Sequence, residues 1–469
     1  MVIKVMDTIF NKKVSFAPIP GFPEFTIEEN IVLSKVQSEI KEIYELYGYG
    51  NLDTRLVETD KVLNQKGIDS KELFSLNFII KNKAVELDAK RQQLALRFDL
   101  TVPMARYIAQ NKNIISFPFK RYQIQKVYRA EGHKVASGRY NEFYQCDIDV
   151  VGYNNLDIAY DSEFPAIVCD ILRNVFNIER FVMRISNRKL LEGLFRENGI
   201  SQVDKIKRAV KVIDDIEKVE KETTIQLLNE LGITFENAEK ILSLFRELYE
   251  KTPTEAMVYL KDYGFTDKQI CEGISELDCV VNGIIANGVN EKYFKVDARI
   301  ARGLDYYTGT VYETNLLDHM EIGSVCSGGR YNDLVSTLSG NPEDKYPGVG
   351  LSIGLTRLIP TLIKANYLKA DSQTVAKILV TCQDKKFISK YQEIGTVLRG
   401  AGIKTDVYLN KSTNLPKQLD YANKKNYKYV IIANKYEFDE NCVAIRNMET
   451  ASQEKVLIND VVEYFKDKV

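Results

Sequence analysis

The sequence predicts an α+β domain built on an antiparallel sheet, interrupted by an all-α insertion and followed by a C-terminal α/β domain. Three patterns carry this reading. β-Rich stretches, among them FKRYQIQKVYR, NEFYQCDIDVVG, ERFVMRIS, DARIARGLDYYTGTVYETN and GVGLSIG, flank a block from Asn187 to Asn290 in which apolar residues recur three and four apart. KLLEGLFREN, AEKILSLFRELYEK and ISELDCVVNGII belong to that block. Beyond ADSQT, a linker by composition, short apolar strands alternate with amphipathic helices, the pattern of a mostly parallel sheet. The expected boundaries are 1–186 and 291–369 for the two parts of the sheet domain, 187–290 for the insertion and 376–469 for the last domain.

Length and composition bound the function. A chain of 469 residues accommodates two to four folding units. With 45% hydrophobic and 28% charged residues it has the balance of a soluble globular protein, and its apolar runs are too short to span a bilayer. Met1 to Phe16 alternates charged and apolar residues without a signal-peptide core, so a cytoplasmic location and no membrane partner are expected. Cysteines 146, 169, 271, 279, 326, 382 and 442 are scattered, odd in number and without a CxxC pair. They are expected to be buried thiols and not a disulfide framework or zinc site. His133 and His319 are the only histidines, which leaves almost no room for Ser-His-Asp chemistry or a histidine-rich metal centre, and no residue is assigned to a metal. The net charge of −1 hides an asymmetry: Ala376 to Val469 holds 16 Lys and Arg against 12 Asp and Glu. A mildly basic tail suits a polyanion, although an uneven surface arises by chance as readily.

Cationic work therefore falls to arginine and lysine. From Phe119 to Val151 two strands are joined by the turn-rich RAEGHKVASGRYN. By the period-two rule Gln145, Asp147 and Asp149 share one face of the second strand, and Gln123, Gln125 and Arg129 occupy odd positions on the first. The same pattern fits an ordinary hairpin with one wet face. Upstream, LRFDLTVPMARY sets Asp99 and Thr101 ahead of Pro103 at a helix start, where they would cap it or serve a site. Downstream, ARGLDYYTGTVYE groups Arg302, Asp305, Tyr306 and Tyr307, suited to a planar polar ligand or to a packed loop. GSVCSGGRYNDL carries a glycine pair before Arg330, as a backbone passing close to a ligand does. GVGLSIGLTRL spaces Gly348, Gly350 and Gly354 along a strand, as if against something flat, and places Arg357 on the first turn of a helix. Neither GxxxxGK[ST] nor GxGxxG occurs in a strand-to-helix turn.

VYRAE resembles motif 2 of the class II aminoacyl-tRNA synthetases, and GLSIGLTRL resembles their motif 3. ARGLDYYTGTVYE and SGGRYNDLV resemble the two signature peptides of the histidyl branch, and the similarity runs from about Pro18 through the last domain. The resemblance implies a class II synthetase-like fold and a histidine–tRNA ligase that forms histidyl-adenylate from ATP, with Mg2+, and transfers histidine to the 3′ end of tRNA. It further implies Arg129, Arg302 and Arg357 as catalytic residues and Glu131 at the adenine edge. Arg129 would hold the α-phosphate and the histidine carboxylate side, Arg302 the α-phosphate from the other side, and Arg357 the γ-phosphate of a bent ATP. Asp99, Thr101 and Gln145 would receive the α-ammonium group, with Leu100 in the same substrate set; Asp149 and Tyr307 would read the imidazole beside Tyr306. The loop from Gly132 to Tyr140 would meet the tRNA acceptor end, the insertion the acceptor stem and the last domain the anticodon.

A homodimer is also implied, with less force, because Arg55 stands where the family's motif 1 ends in proline. Asn141 replaces an arginine after GRY, Thr356 a glutamate before the motif 3 arginine, and PGFPEF a lysine-glycine-threonine-arginine peptide. The alternatives are a noncatalytic synthetase-like histidine or tRNA sensor or regulatory subunit, and an unrelated α/β nucleotide-binding scaffold.

Overall fold

The long hairpin of the sequence becomes the spine of an eight-stranded sheet in the computed structural model, which describes residues 16–64, 72–76, 93–130, 139–300, 307–341 and 343–468. The chain divides into two compact units, Met1–Pro23 with Gln37–Thr361 and Glu24–Val36 with Leu362–Val469.

The first unit contains β1 (Gly50–Asn51), β2 (Val57–Thr59), β3 (Ser75–Leu76), β4 (Leu94–Leu96), β5 (Phe119–Tyr128), β6 (Glu142–Val151), β7 (Phe181–Asn187), β8 (Phe294–Val296), β9 (Thr310–Leu316), β10 (Ser324–Tyr331) and β11 (Gly348–Gly354). The main sheet runs β1-β5-β6-β11-β10-β9-β7-β8, and β2-β4-β3 form a separate small sheet. Every pairing from β5 to β7 is antiparallel, as expected; only the short edge strands β1 and β8 pair in parallel. The sheet is buried on both sides of β6: Cys146, Ile148 and Val150 are fully enclosed, and so are Asp147 and Asp149 on the opposite face. The hairpin with one wet face is thereby corrected.

Helix α1 (Thr101–Asn111) packs Val102, Met104, Ala105 and Ile108 into the core beside Tyr331 and Val335. The insertion contains α2 (Arg188–Glu197), α3 (Val203–Asp214), α4 (Lys221–Leu231), α5 (Phe235–Glu250), α6 (Pro253–Asp262) and α7 (Lys268–Ala286), with no strand among them. Asn187 closes β7 and its side chain caps α2 by accepting from the Lys189 N–H at 2.9 Å, so strand becomes helix within one residue. Apolar residues at helical spacing, such as Leu190, Leu191, Leu194 and Phe195, are buried, which is why the periodicity was legible. These helices lie in the same compact unit as the sheet.

In the second unit β12 (Ile378–Val380), β13 (Thr405–Val407), β14 (Tyr429–Ile432), β15 (Cys442–Asn447) and β16 (Gln453–Leu457) follow the order β13-β12-β14-β15-β16. Helices Ile388–Gly400 and Leu415–Lys424 connect the parallel strands, and Gly402 supplies the left-handed turn (φ 80°) after the first of them. The sheet is parallel only from β13 to β14. β15 and β16 return antiparallel, and β16 escaped notice because its residues are almost all exposed and carry no apolar alternation. The seven thiols are all free, but Cys271 is exposed and Cys279 half-buried, so the expectation of uniform burial fails in α7. No helix among the described residues is long and apolar enough to cross a membrane.

Arg330, the arginine after the glycine pair, belongs to the scaffold. Its guanidinium donates to the buried carboxylate of Asp161 at 2.6 and 3.1 Å and to the carbonyls of Leu156 and Asp157 at 3.0 and 2.9 Å. Truncating one partner of such a pair leaves the other charge enclosed without compensation. Arg330→Ala is expected to lower unfolding stability by about 3–5 kcal/mol, read as a shift of the denaturant midpoint, and Arg330→Met with Asp161→Leu recovers most of it.

Candidate active site

Strands β5, β6 and β11 form a polar floor whose register aligns Arg121 with Asp149 and Gly350, Gln123 with Asp147 and Ser352, and Gln125 with Gln145 and Gly354. Asp149 sits at the deep end. Its Oδ2 lies 2.6 Å from the Arg121 guanidinium, and its Oδ1 accepts from the Tyr331 hydroxyl at 2.9 Å. Arg121 also donates to the Leu100 carbonyl at 3.2 Å, which ties the pair to the entry of α1. A side chain at position 350 would run into the Asp149 carboxylate, so this glycine makes room for it. The flat object against Gly348 is the ring of Tyr331, 2.5 Å from where a Cβ would stand. The glycine pair on β10 serves packing as well: Gly328 faces the Gly350 carbonyl, and Gly329 lies under the Tyr307 ring, 2.8 Å from where its Cβ would stand.

Over the deep end lies a cavity of about 400 Å³ whose polar side is made by Asp99, Thr101, Gln145, Asp147, Asp149 and Tyr307. Burial raises the Tyr307 hydroxyl well above its usual range, and the carboxylates of Asp149 and Asp147 add to this. Asp99 also caps α1, accepting from the Val102 N–H at 3.0 Å, so the same residue caps the helix and lines the cavity. Leu100 lines neither this cavity nor the next; its side chain is buried and its carbonyl is taken by Arg121.

A second cavity of about 380 Å³ adjoins the first, sharing Arg129, Gln145, Ser327 and Ser352 with it. Here the lining turns cationic, with Arg129, Arg139 and Arg357 beside Ser324, Tyr140 and Thr356. Arg129 is held between the rings of Phe98 and Phe143, 4.3 and 5.1 Å away, and its Nε donates to the Phe98 carbonyl at 3.2 Å. Arg357 donates to the Ser324 carbonyl at 2.5 Å from the first turn of the helix Leu355–Lys364, and the preceding Thr356 accepts from the Tyr144 N–H at 2.8 Å, fixing that helix start to β6. No group of three or more His, Cys, Asp or Glu that could hold a metal occurs among the described residues.

Of the residues singled out from sequence, Asp99, Thr101, Arg129, Gln145, Asp149, Tyr307 and Arg357 converge on the two cavities. Glu131, Arg302 and Tyr306 lie outside the described residues. Sequence reasoning missed Arg121, although the period-two rule that selected Gln123 and Gln125 also puts Arg121 on their face. It also passed over Asp147 as a functional residue. Burial pushes the Asp147 carboxyl up to about 7, helped by Asp149 and opposed by Arg121 and a hydrogen bond from Ser352. A carboxyl that holds its proton more tightly when folded loses stability as pH rises from its unfolded value of about 4. The contribution is least favourable above about 7. Asp147→Asn removes this dependence, so the variant should unfold at higher denaturant than the wild type at about pH 8 and together with it at about pH 4, measured by denaturant titration.

Comparison with known proteins bears on the whole chain. The family model described as "Histidyl-tRNA synthetase" matches residues 21–358, and that described as "Anticodon binding domain" matches 375–468. The histidine–tRNA ligase of Nostoc sp. PCC 7120 is 37% identical over 468 residues, covering 98% of this chain and 99% of that protein. The corresponding ligase of Clostridium tetani is 36% identical over 96% of this chain and 98% of its own length. The crystal structure of the Nostoc histidyl-tRNA synthetase superposes with a TM-score of 0.87 at 36% identity, covering 97% of this chain and all of that one.

Proposed function

The chain belongs to the histidyl-tRNA synthetase family, and from this we infer that it is an ATP-dependent histidine–tRNA ligase whose adenylate forms across the two adjoining cavities. The observation that carries the assignment of sites is the change of charge along one floor. A cavity lined by Arg129 and Arg357 opens, past Gln145 and Ser352, into one lined by Asp99, Asp147 and Asp149. An adenylate needs that order, with phosphate at the cationic end, the amino-acid ammonium group beyond it and the side chain at the acidic end.

Activation is attack of the histidine carboxylate oxygen on the α-phosphorus of ATP with departure of pyrophosphate. The step demands alignment and compensation of negative charge more than a general base. Arg129, oriented by its two aromatic rings, and Arg357, fixed at a helix start, are proposed to bind the α- and γ-phosphates. Arg302 is proposed to meet the α-phosphate from the other side and Glu131 the adenine edge. Asp99 and Thr101 are assigned to the α-ammonium side with Gln145, and Asp149, Tyr307 and Tyr306 to the imidazole. A carboxylate already fixed by Arg121 and Tyr331 accepts a ring N–H without reorganising, and a side chain lacking that donor leaves it under-satisfied.

The cationic cavity has no carboxylate among its described lining residues, so Mg2+ is proposed to arrive on the nucleotide's phosphates and to neutralise part of their charge. In the second step a hydroxyl of the terminal adenosine of tRNA attacks the activated carbonyl and AMP leaves. Residues 376–469 are proposed to bind the anticodon, 187–290 the acceptor stem, and 1–186 with 291–369 to hold the chemistry. A homodimer acting in the cytoplasm completes the proposal; sedimentation of the purified protein at about twice the monomer mass checks the assembly.

Pyrophosphate exchange should depend on histidine and on none of the other amino acids, and charging of a tRNA pool should follow the same selectivity; exchange without histidine, or with another amino acid, overturns the assignment. Arg129→Ala is expected to lower the exchange rate by at least about 100-fold. Arg302→Ala is expected to abolish activation with histidine affinity largely kept, since its charge acts on the transition state, and equal loss of affinity and rate would mark it as structural.

A further inference from the structure

Asp147 stands between the two ends of the site and has been given no role. It is 3% exposed, lines the acidic cavity, and its Oδ1 has no hydrogen-bond partner. The neighbouring acids are engaged: Asp149 by Arg121 and Tyr331, Asp99 by the Val102 N–H at the start of α1. On the same strand face Gln145 presents a second buried acceptor, Oε1, also without a partner. Gln145 Nε2 donates to the Ser352 hydroxyl at 2.9 Å, which leaves Gln145 Oε1 as the unpartnered end of the amide. Two enclosed acceptors side by side, one of them a carboxylate, call for a cationic group with several N–H donors.

We propose that Asp147 is a further substrate-recognition residue, which accepts the α-ammonium group of histidine together with Gln145 Oε1. The inference rests on the reading of these cavities as the histidine site and adds to it a second carboxylate, beside Asp99, on the ammonium group. Position along the strand separates this role from ring recognition. Asp147 is two residues closer than Asp149 to Gln145 and the arginine cavity, roughly 7 Å along a strand, and the amino acid's backbone must lie at that end for its carboxylate to reach the α-phosphate. Asp147 is therefore placed beside the ammonium group and Asp149 beside the ring. Asp99 and Thr101 then border the ammonium group from the α1 side.

Two ligands distinguish the groups: histidinol, which keeps the imidazole and ammonium but has no carboxylate, and imidazolepropionate, which keeps the imidazole and carboxylate but has no ammonium. Their inhibition constants in histidine-dependent pyrophosphate exchange are compared between the wild type and Asp147→Asn. Loss of a charged hydrogen bond predicts histidinol weakened by about 10- to 100-fold, with imidazolepropionate unchanged within about twofold and the KM for ATP unchanged. Ser352→Ala, which leaves the carboxylate in place but releases the Gln145 amide, should weaken histidinol by a smaller factor and spare imidazolepropionate. It supplies the same comparison should Asp147→Asn not fold. Equal weakening of both ligands, or undiminished histidinol binding, overturns the proposal. Absence of histidine-dependent exchange in the wild type would instead overturn the reading on which it rests.

Discussion

A guanidinium and a carboxylate enclosed within the sheet set the geometry on which the site depends. Arg121 on β5 and Asp149 on β6 face each other in register, with Tyr331 on the far oxygen of the acid and Gly350 clearing the space it occupies. An apolar pair of equal volume stabilises a core as well or better, so folding alone gives no reason to keep these charges. Their consequence is a carboxylate whose position is determined from three strands and the entry of α1 before any ligand arrives. On the proposed function, that prior fixing is what would let Asp149 discriminate a ring N–H donor.

The rest of the floor follows from the same alignment. Because β6 pairs with β5 on one side and β11 on the other, a single polar face runs from Asp149 through Asp147 to Gln145 and meets the arginines at its outer end. The acids lie on β6 and the arginines follow β5 and β11, so charge changes sign along the floor. On the proposed function, that polarity would orient a ligand with a cationic head and an anionic tail in one direction and leave the reacting groups little to reorganise.

Departures from the family pattern are absorbed locally. Asn141 and the PGFPEF segment, which both deviate, touch one another: the Asn141 N–H donates to the Gly21 carbonyl at 2.7 Å, and a side chain at Gly21 would strike the Asn141 amide. The Asn141 carbonyl in turn accepts from the Arg129 N–H at 2.8 Å, so the altered pair still holds the base of a site arginine. Thr356 ties its helix to β6 through the Tyr144 N–H. Arg55, where a proline is usual, closes an ion-pair cluster with the buried Glu58 and with Arg106. Its guanidinium is half-exposed, and no cavity arginine depends on it.

Local periodicity determined much of this protein. The helical insertion, the β-rich flanks, the α/β alternation at the end and the polar face of β6 were legible because side-chain direction repeats every 3.6 or 2 residues whatever the surroundings. Motif resemblance selected Arg129, Gln145, Asp149, Tyr307 and Arg357, which converge on the two cavities. Only the tertiary structure decided what the faces meet. The supposed wet side of the hairpin is enclosed, Arg330 and the glycine pair belong to packing, Arg121 pairs with the cavity-lining Asp149, and Asp147 lines the same cavity, because burial and partnership depend on strands distant in sequence. Period two says which way a side chain points; whether it finds water, a counter-charge or an open cavity there depends on residues some 200 positions away, such as Tyr331 and Ser352.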